Sequence, residues 1–235
     1  DIKKEAAKIV NEELTVDNSL FLYHDVCTNG IGYVDLMFKT DSIAPEQIPY
    51  LGLLKSVLGY VDTEHYTYGE LFNEINANTG GINCGVEVFD RADSTEEFQA
   101  MFSVRGKALY TKMDFLFKMI GEILNSSKLE DTKRLYEIVA SVKSRAQVNL
   151  TGAGHSTAVL RAAAYSSPMA AFQDEMAGIG YYQFIEKLEK DFEQRKEETV
   201  EELCKLMKKI LRPENFMISY TGERESLETV QKLAG

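Results

Sequence analysis

The three histidines are the first residues to test for chemistry, because imidazole both ligates metals and titrates near neutral pH. His24, followed by Asp25, lies in an apolar run with strand-like alternation. With no second ligand near it in sequence, it reads as a surface or hydrogen-bonded strand histidine. Glu64-His65 is the tail of the inverted zinc-binding pattern His-x-x-Glu-His, whose first histidine would fall at position 61, which is Val61. Zinc needs both imidazoles to converge from one helical face, so His65 reads as a loop residue. His155 follows Gly152-Ala153-Gly154 and reads as the start of a helix beside a glycine break. Cys27, Cys84 and Cys204 are odd in number and lack metal spacing. They read as buried or half-buried free thiols within strands or helices, in a reducing compartment. The sequence holds no glycine-rich phosphate loop, Gly-x-Ser-x-Gly elbow or Cys-x-x-Cys pair. No residue is assigned a catalytic or metal-ligating role.

The elements that would position these side chains follow from hydrophobic periodicity. Ile2, Ala6, Ile9, Val10 and Leu14 recur at helical spacing, which predicts an opening helix ending near Thr15. Apolar runs over 20–26 and 31–38 flank Thr28-Asn29-Gly30, where Asn-Gly supplies the positive φ angles of a tight turn. They read as an antiparallel hairpin. A helix follows Pro45, with Ile48, Leu51, Leu54, Leu58 and Val61 on one stripe. A second starts at Thr67, which forms a capping box with Glu70, and stops at Thr79-Gly80-Gly81. Alternation over 82–88 and 98–104 predicts two more strands. From Thr111 the chain is mainly helical, with breaks at Gly152, Gly154 and Pro168 and an Ala-rich helix over 156–165 expected to pack close to a neighbour. Helices over 181–192 and from Val200 to Pro213 follow, then a strand over 216–220 and a helix from Ser226. The order describes an α+β fold, an antiparallel or mixed sheet of about five to six strands covered by helices. The expected division is a connector helix over 1–15 and one α+β domain over 16–235.

The 235 residues are 44% hydrophobic and 27% charged, with 4 Pro and 16 Gly, which excludes low-complexity and collagen-like chains. The 26 basic and 37 acidic residues give a net charge of −11, so nucleic acid and anionic membrane are poor partners. No stretch reaches the roughly 18 to 20 apolar residues of a membrane span. The expectation is a soluble, cytoplasmic chain. Asp1 in place of an initiator Met, with a periodic pattern already under way at Ile2, suggests a piece of a longer polypeptide.

At Thr28-Asn29-Gly30-Ile31-Gly32-Tyr33-Val34-Asp35-Leu36-Met37-Phe38 the chain resembles the insulinase-like (pitrilysin) zinc peptidases, in the branch of presequence protease and falcilysin. The resemblance continues at Ile48-Pro49-Tyr50-Leu51-Gly52-Leu53-Leu54, Tyr68-Gly69-Glu70-Leu71, Glu74-Ile75, Thr79-Gly80-Gly81-Ile82, Ser167-Pro168-Met169 and Gly178-Ile179-Gly180-Tyr181-Tyr182-Gln183-Phe184. It covers roughly 20–222, and the order and spacing of the pieces carry it. It implies four related α+β domains in two halves that close around a chamber, with the zinc motif on the first alone. This chain resembles the third domain. The motif's two histidines and its glutamate would fall at about Leu51, Lys55 and Leu54, which can neither bind zinc nor activate water. The active-site Arg and Tyr of the family's second half belong to the fourth domain and fall on no residue here.

The resemblance therefore implies a non-catalytic wall of a zinc metalloendopeptidase that degrades unfolded peptides. Its partners are the other domains of the same polypeptide and peptide substrates, and zinc resides in the parent's catalytic domain. Gly80, Gly81, Ile82 and Asn83 are the candidate substrate-binding residues, since the family's strand after the Gly-Gly turn lies near bound peptide. An exposed edge there could take an added strand. The competing reading is that Gly80 and Gly81 simply end a helix. Two further readings stay open: a stand-alone scaffold subunit of the same fold, and an enzyme that brings His24, Asp25 and His65 together by folding.

Overall fold

The computed structural model describes residues 10–235 and opens on a strand. β1 (Val10–Val16) pairs antiparallel with β2 (Ser19–Asp25). The expected opening helix is therefore overturned from Val10 onward, while its first part, 1–9, lies outside the described residues. Two local signals explain the strand. Glu12, Leu14 and Val16 are half-buried while Asn11, Glu13 and Thr15 are exposed, an alternation of period two. Asp17 and Asn18 then adopt φ of 45° and 67°, the left-handed pair that closes a two-residue hairpin.

The second correction concerns β2 and β3 (Ile31–Lys39), which are not neighbours. The sheet order is β1-β2-β6-β3-β5-β4, with β4 (Ile82–Arg91), β5 (Ser94–Leu109) and β6 (Phe216–Gly222). β6 lies parallel to β2 and antiparallel to β3, inserted between them. Asn29 and Gly30 do have positive φ, 53° and 82°. The loop they turn is tied to Glu223 just past β6, whose carboxylate accepts the Thr28, Asn29 and Gly30 N–H groups at 3.1–3.3 Å. The turn keeps its own bond from the Ile31 N–H to the Thr28 carbonyl at 3.4 Å, but β6 rather than β2 takes the place beside β3.

Helices cover one face of this sheet. Phe21 and Tyr23, Ile218 and Tyr220, Val34 and Leu36, and Phe102 and Val104 share that face in register and are buried. Against them packs α1 (Ile48–Val57), in which Tyr50, Leu51, Gly52, Leu53, Leu54 and Val57 are all buried. The remaining helices are α2 (Tyr68–Asn78), α3 (Met113–Ser126), α4 (Thr132–Gly152), α5 (Gly154–Ala163), α6 (Pro168–Ala177), α7 (Ile179–Lys190), α8 (Phe192–Ile210) and α9 (Arg224–Ala234). The expected capping box at Thr67 and Glu70 is present at the head of α2. Pro168 opens α6 rather than ending the helix before it, as suits a residue without an N–H in a first turn. The Ala-rich α5 lies beside α6 but has no buried residue. Cys27 is exposed in the loop after β2, unlike the half-buried Cys84 and Cys204.

Two motifs of the sequence are explained by close packing. Gly52 lets α1 meet the α6–α7 corner: a Cβ there would lie 2.7 Å from Tyr181 Cε2 and 2.9 Å from the Met176 carbonyl oxygen. Gly178 and Gly180 surround the buried Asp174, whose carboxylate accepts the Ile179 and Gly180 N–H groups at 3.0 and 3.1 Å. Arg161 of α5 donates to the same carboxylate at 2.7 Å. The Gly-Ile-Gly stretch is thus the start of α7, capped from the preceding helix.

Candidate functional site

Thr79, Gly80 and Gly81 form a hinge of fixed geometry between α2 and β4. Thr79 Oγ1 donates to the Ile75 carbonyl at 2.7 Å and accepts the Gly81 N–H at 3.0 Å. Gly80 N–H donates to the Lys107 carbonyl at 2.7 Å, and Gly81 has φ of +106°. These glycines do end a helix, as the simpler reading holds. They also start β4, which among the described residues pairs only with β5 and stands at the edge of the sheet. Its outer row of backbone N–H and C=O groups is open to another strand.

Side chains of β4 alternate as expected. Ile82, Cys84, Val86 and Val88 pack against the core. Burial pushes the Cys84 thiol up to about 12, so it behaves as an inert hydrophobe. Asn83 and Glu87 lie on the other face, in register with Arg105 and Met101. There Arg105 bridges two carboxylates, Nε to Asp35 at 2.7 Å and a terminal nitrogen to Glu87 at 3.1 Å. Burial raises the Asp35 carboxyl above its ordinary range, opposed by Arg105. Gly80, Gly81 and Asn83 border a shallow pocket of about 390 Å³ on this face, with Tyr33, Asp35 and Lys107.

On the helical face a larger groove of about 560 Å³ runs along β4, with Lys55 and Ser56 of α1, Phe72 and Asn76 of α2, and Arg145 of α4 on its walls. Of the four candidate residues, Gly81, Ile82 and Asn83 line this groove, and Gly80 does not. Sequence reading misses Lys55, Phe72 and Arg145 as groove residues. Lys55 is visible there only as the loss of a histidine, and no local pattern links it to Arg145 across ninety positions.

The helix that resemblance marks for a zinc motif does not fit the metal. Leu51 and Leu54 are 0% and 1% exposed in the core, and Lys55 offers a side-chain amine in place of the imidazole, thiolate or carboxylate that zinc takes. Among the described residues, no three of His, Cys, Asp and Glu cluster in a way that could hold a metal ion. The histidines are engaged separately. His24 bonds Asn11 Oδ1 at 2.6 Å and Ser219 Oγ at 3.1 Å. His65 bonds Glu122 at 3.0 Å, and His155 is exposed at the start of α5. No described helix is long and apolar enough to cross a membrane.

Comparison with known proteins agrees with this geometry. The model of the family described as peptidase M-16C associated matches residues 1–188. Protein HypA of Clostridium perfringens is 35% identical over 99% of this chain and 24% of its own length. Presequence protease 1, chloroplastic/mitochondrial, of Arabidopsis thaliana is 26% identical over 99% of this chain and 21% of its own. The chain thus spans about a quarter or less of these curated relatives. A crystal structure of a conserved protein from Enterococcus faecalis V583 superposes with a TM-score of 0.65 at 12% identity, covering 95% of this chain and 51% of that one, which shows the shared α+β fold. With the family model matched over most of its length, the chain belongs to the peptidase M-16C associated family.

Proposed function

We propose that this chain is a non-catalytic wall of the substrate chamber in a zinc-dependent metalloendopeptidase that degrades unfolded peptides. The exposed edge of β4 carries the reading, because an extended peptide can add to it through backbone hydrogen bonds without sequence preference. Gly81, Ile82 and Asn83 would meet such a peptide first, with Gly80 fixing the strand's start. Zinc belongs to another domain of the parent polypeptide, where it would polarise the peptide carbonyl and activate water. Partners are the remaining domains and the peptide itself, in a cytoplasmic setting that suits three free thiols. The test is metal analysis of the purified chain together with binding and cleavage of a fluorescent unfolded peptide. The expected result is peptide binding without zinc and without cleavage. One tightly held zinc per chain, lost in His24→Ala or His65→Ala, would sink the proposal.

A further inference from the structure

Resting on that edge-strand reading, we propose that the groove beside β4 selects an acidic side chain of the bound peptide, using Lys55 and Arg145 as its counter-charges. Both residues line the groove, and among the described residues neither takes part in an ion pair or a side-chain hydrogen bond. Lys55 is also half-buried, and loss of solvent lowers its amino pKa from the ordinary value; the charge of Glu87 opposes this only in part. Glu87 is the groove's own carboxylate and is already bonded to Arg105 at 3.1 Å on the far face. A carboxylate arriving from a ligand would give both groups a bonded partner, and such charge-assisted bonds are the stronger kind.

The surroundings fit the same occupant. Tyr60 and Phe72, 50% and 57% exposed, give the groove aromatic walls. Tyr181 sits behind it with a buried hydroxyl that has no hydrogen-bond partner among the described residues, next to Ser56 and within the field of Arg145. The source of the carboxylate follows from the length of β4. The groove spans the strand from its start to Glu87, and β4 continues to Arg91, so an added strand runs on through the site. Residues opposite Cys84 or Val86 would point toward the helices, since paired strands direct facing side chains to the same side. An acidic side chain at one of those positions would enter the groove that Lys55 and Arg145 line, while its neighbours in sequence would face the other side of the sheet.

The experiment uses this chain and three N-acetylated ten-residue peptides of alternating Val and Thr: one with a central Glu and an amidated end, its Gln isostere, and the Gln peptide with a free C-terminal carboxylate. Fluorescence anisotropy should show the Glu peptide binding about tenfold more tightly than the Gln isostere, a difference of about 1.4 kcal/mol. Lys55→Gln with Arg145→Gln should abolish that difference and leave Kd for the Gln peptide unchanged, with an unaltered thermal transition showing that the variant is folded. Equal binding of Glu and Gln peptides overturns the groove proposal while the edge reading stands. Preference for the free C-terminus overturns it in favour of a chain-end site. Binding of none of the three overturns both readings.

Discussion

Replacing Asp174 by alanine leaves the Ile179 and Gly180 N–H groups without their acceptor at the head of α7, where Gly178 holds the cap position and offers no side chain. Each unsatisfied buried donor costs about 1–3 kcal/mol, and loss of a capping carboxylate about 0.5–2 kcal/mol. The two describe the same bonds, so we expect a total of about 2–4 kcal/mol, with the exposed Arg161 arm left out of the figure. For a chain of this size that is a drop in Tm of about 5–15 °C. Thermal and urea unfolding of Asp174→Ala measure it, and Asp174→Asn, which keeps one acceptor oxygen, should fall between the two. Gly178→Ala should be destabilising by the same route, because its Cβ would lie 2.8 Å from Asp174 Cα. A change below about 0.5 kcal/mol in Asp174→Ala, the range of ordinary surface substitutions, would refute the claim that the Gly178-Ile179-Gly180 motif is built around this carboxylate.

Further outcomes follow from single groups. The Tyr110 hydroxyl, with the Gly30 and Thr28 N–H groups, pulls the Glu223 carboxyl from 4.5 to about 2. A lowered folded-state pKa stabilises above the unfolded value and is lost as pH falls toward the folded one, so stability should decline between about pH 5 and pH 2. Glu223→Gln should flatten that acid limb in urea titrations, and an unchanged slope would count against the assignment. Gly81→Ala forces a Cβ into a φ of +106° and should cost about 1–2 kcal/mol in urea unfolding. Tyr181→Phe removes a buried hydroxyl that has no hydrogen-bond partner among the described residues, so stability should stay level or rise by up to about 1 kcal/mol; a loss above about 1 kcal/mol would mean that the hydroxyl is satisfied.

What the sequence reveals divides along the line between local and long-range causes. The Thr67–Glu70 box, the Thr79-Gly80-Gly81 stop and the alternation of β4 are written in neighbouring residues, and each stands where periodicity places it. The insertion of β6 between β2 and β3 is not, because Glu223 reaches the Asn29-Gly30 turn from nearly two hundred residues away. The opening strand shows a different failure. Helical spacing over the first fourteen residues outweighs the shorter alternation at Glu12, Leu14 and Val16, and only the Asp17-Asn18 turn settles the matter in favour of a strand. For the site, the edge strand is legible as a segment, whereas its exposure depends on the order of the whole sheet. The groove needs four helices in place, α1 to α4, before Lys55 and Arg145 can be seen on its walls.

The most direct test of the central claim is hydrogen–deuterium exchange of the chain with and without an unfolded peptide. A wall that takes peptide as an added strand should show slowed exchange of β4 amides over 82–88, with the histidine-bearing segments around His24 and His65 unchanged. Peptide binding that leaves 82–88 unprotected, or that protects the segments around His24 and His65 instead, would contradict the account.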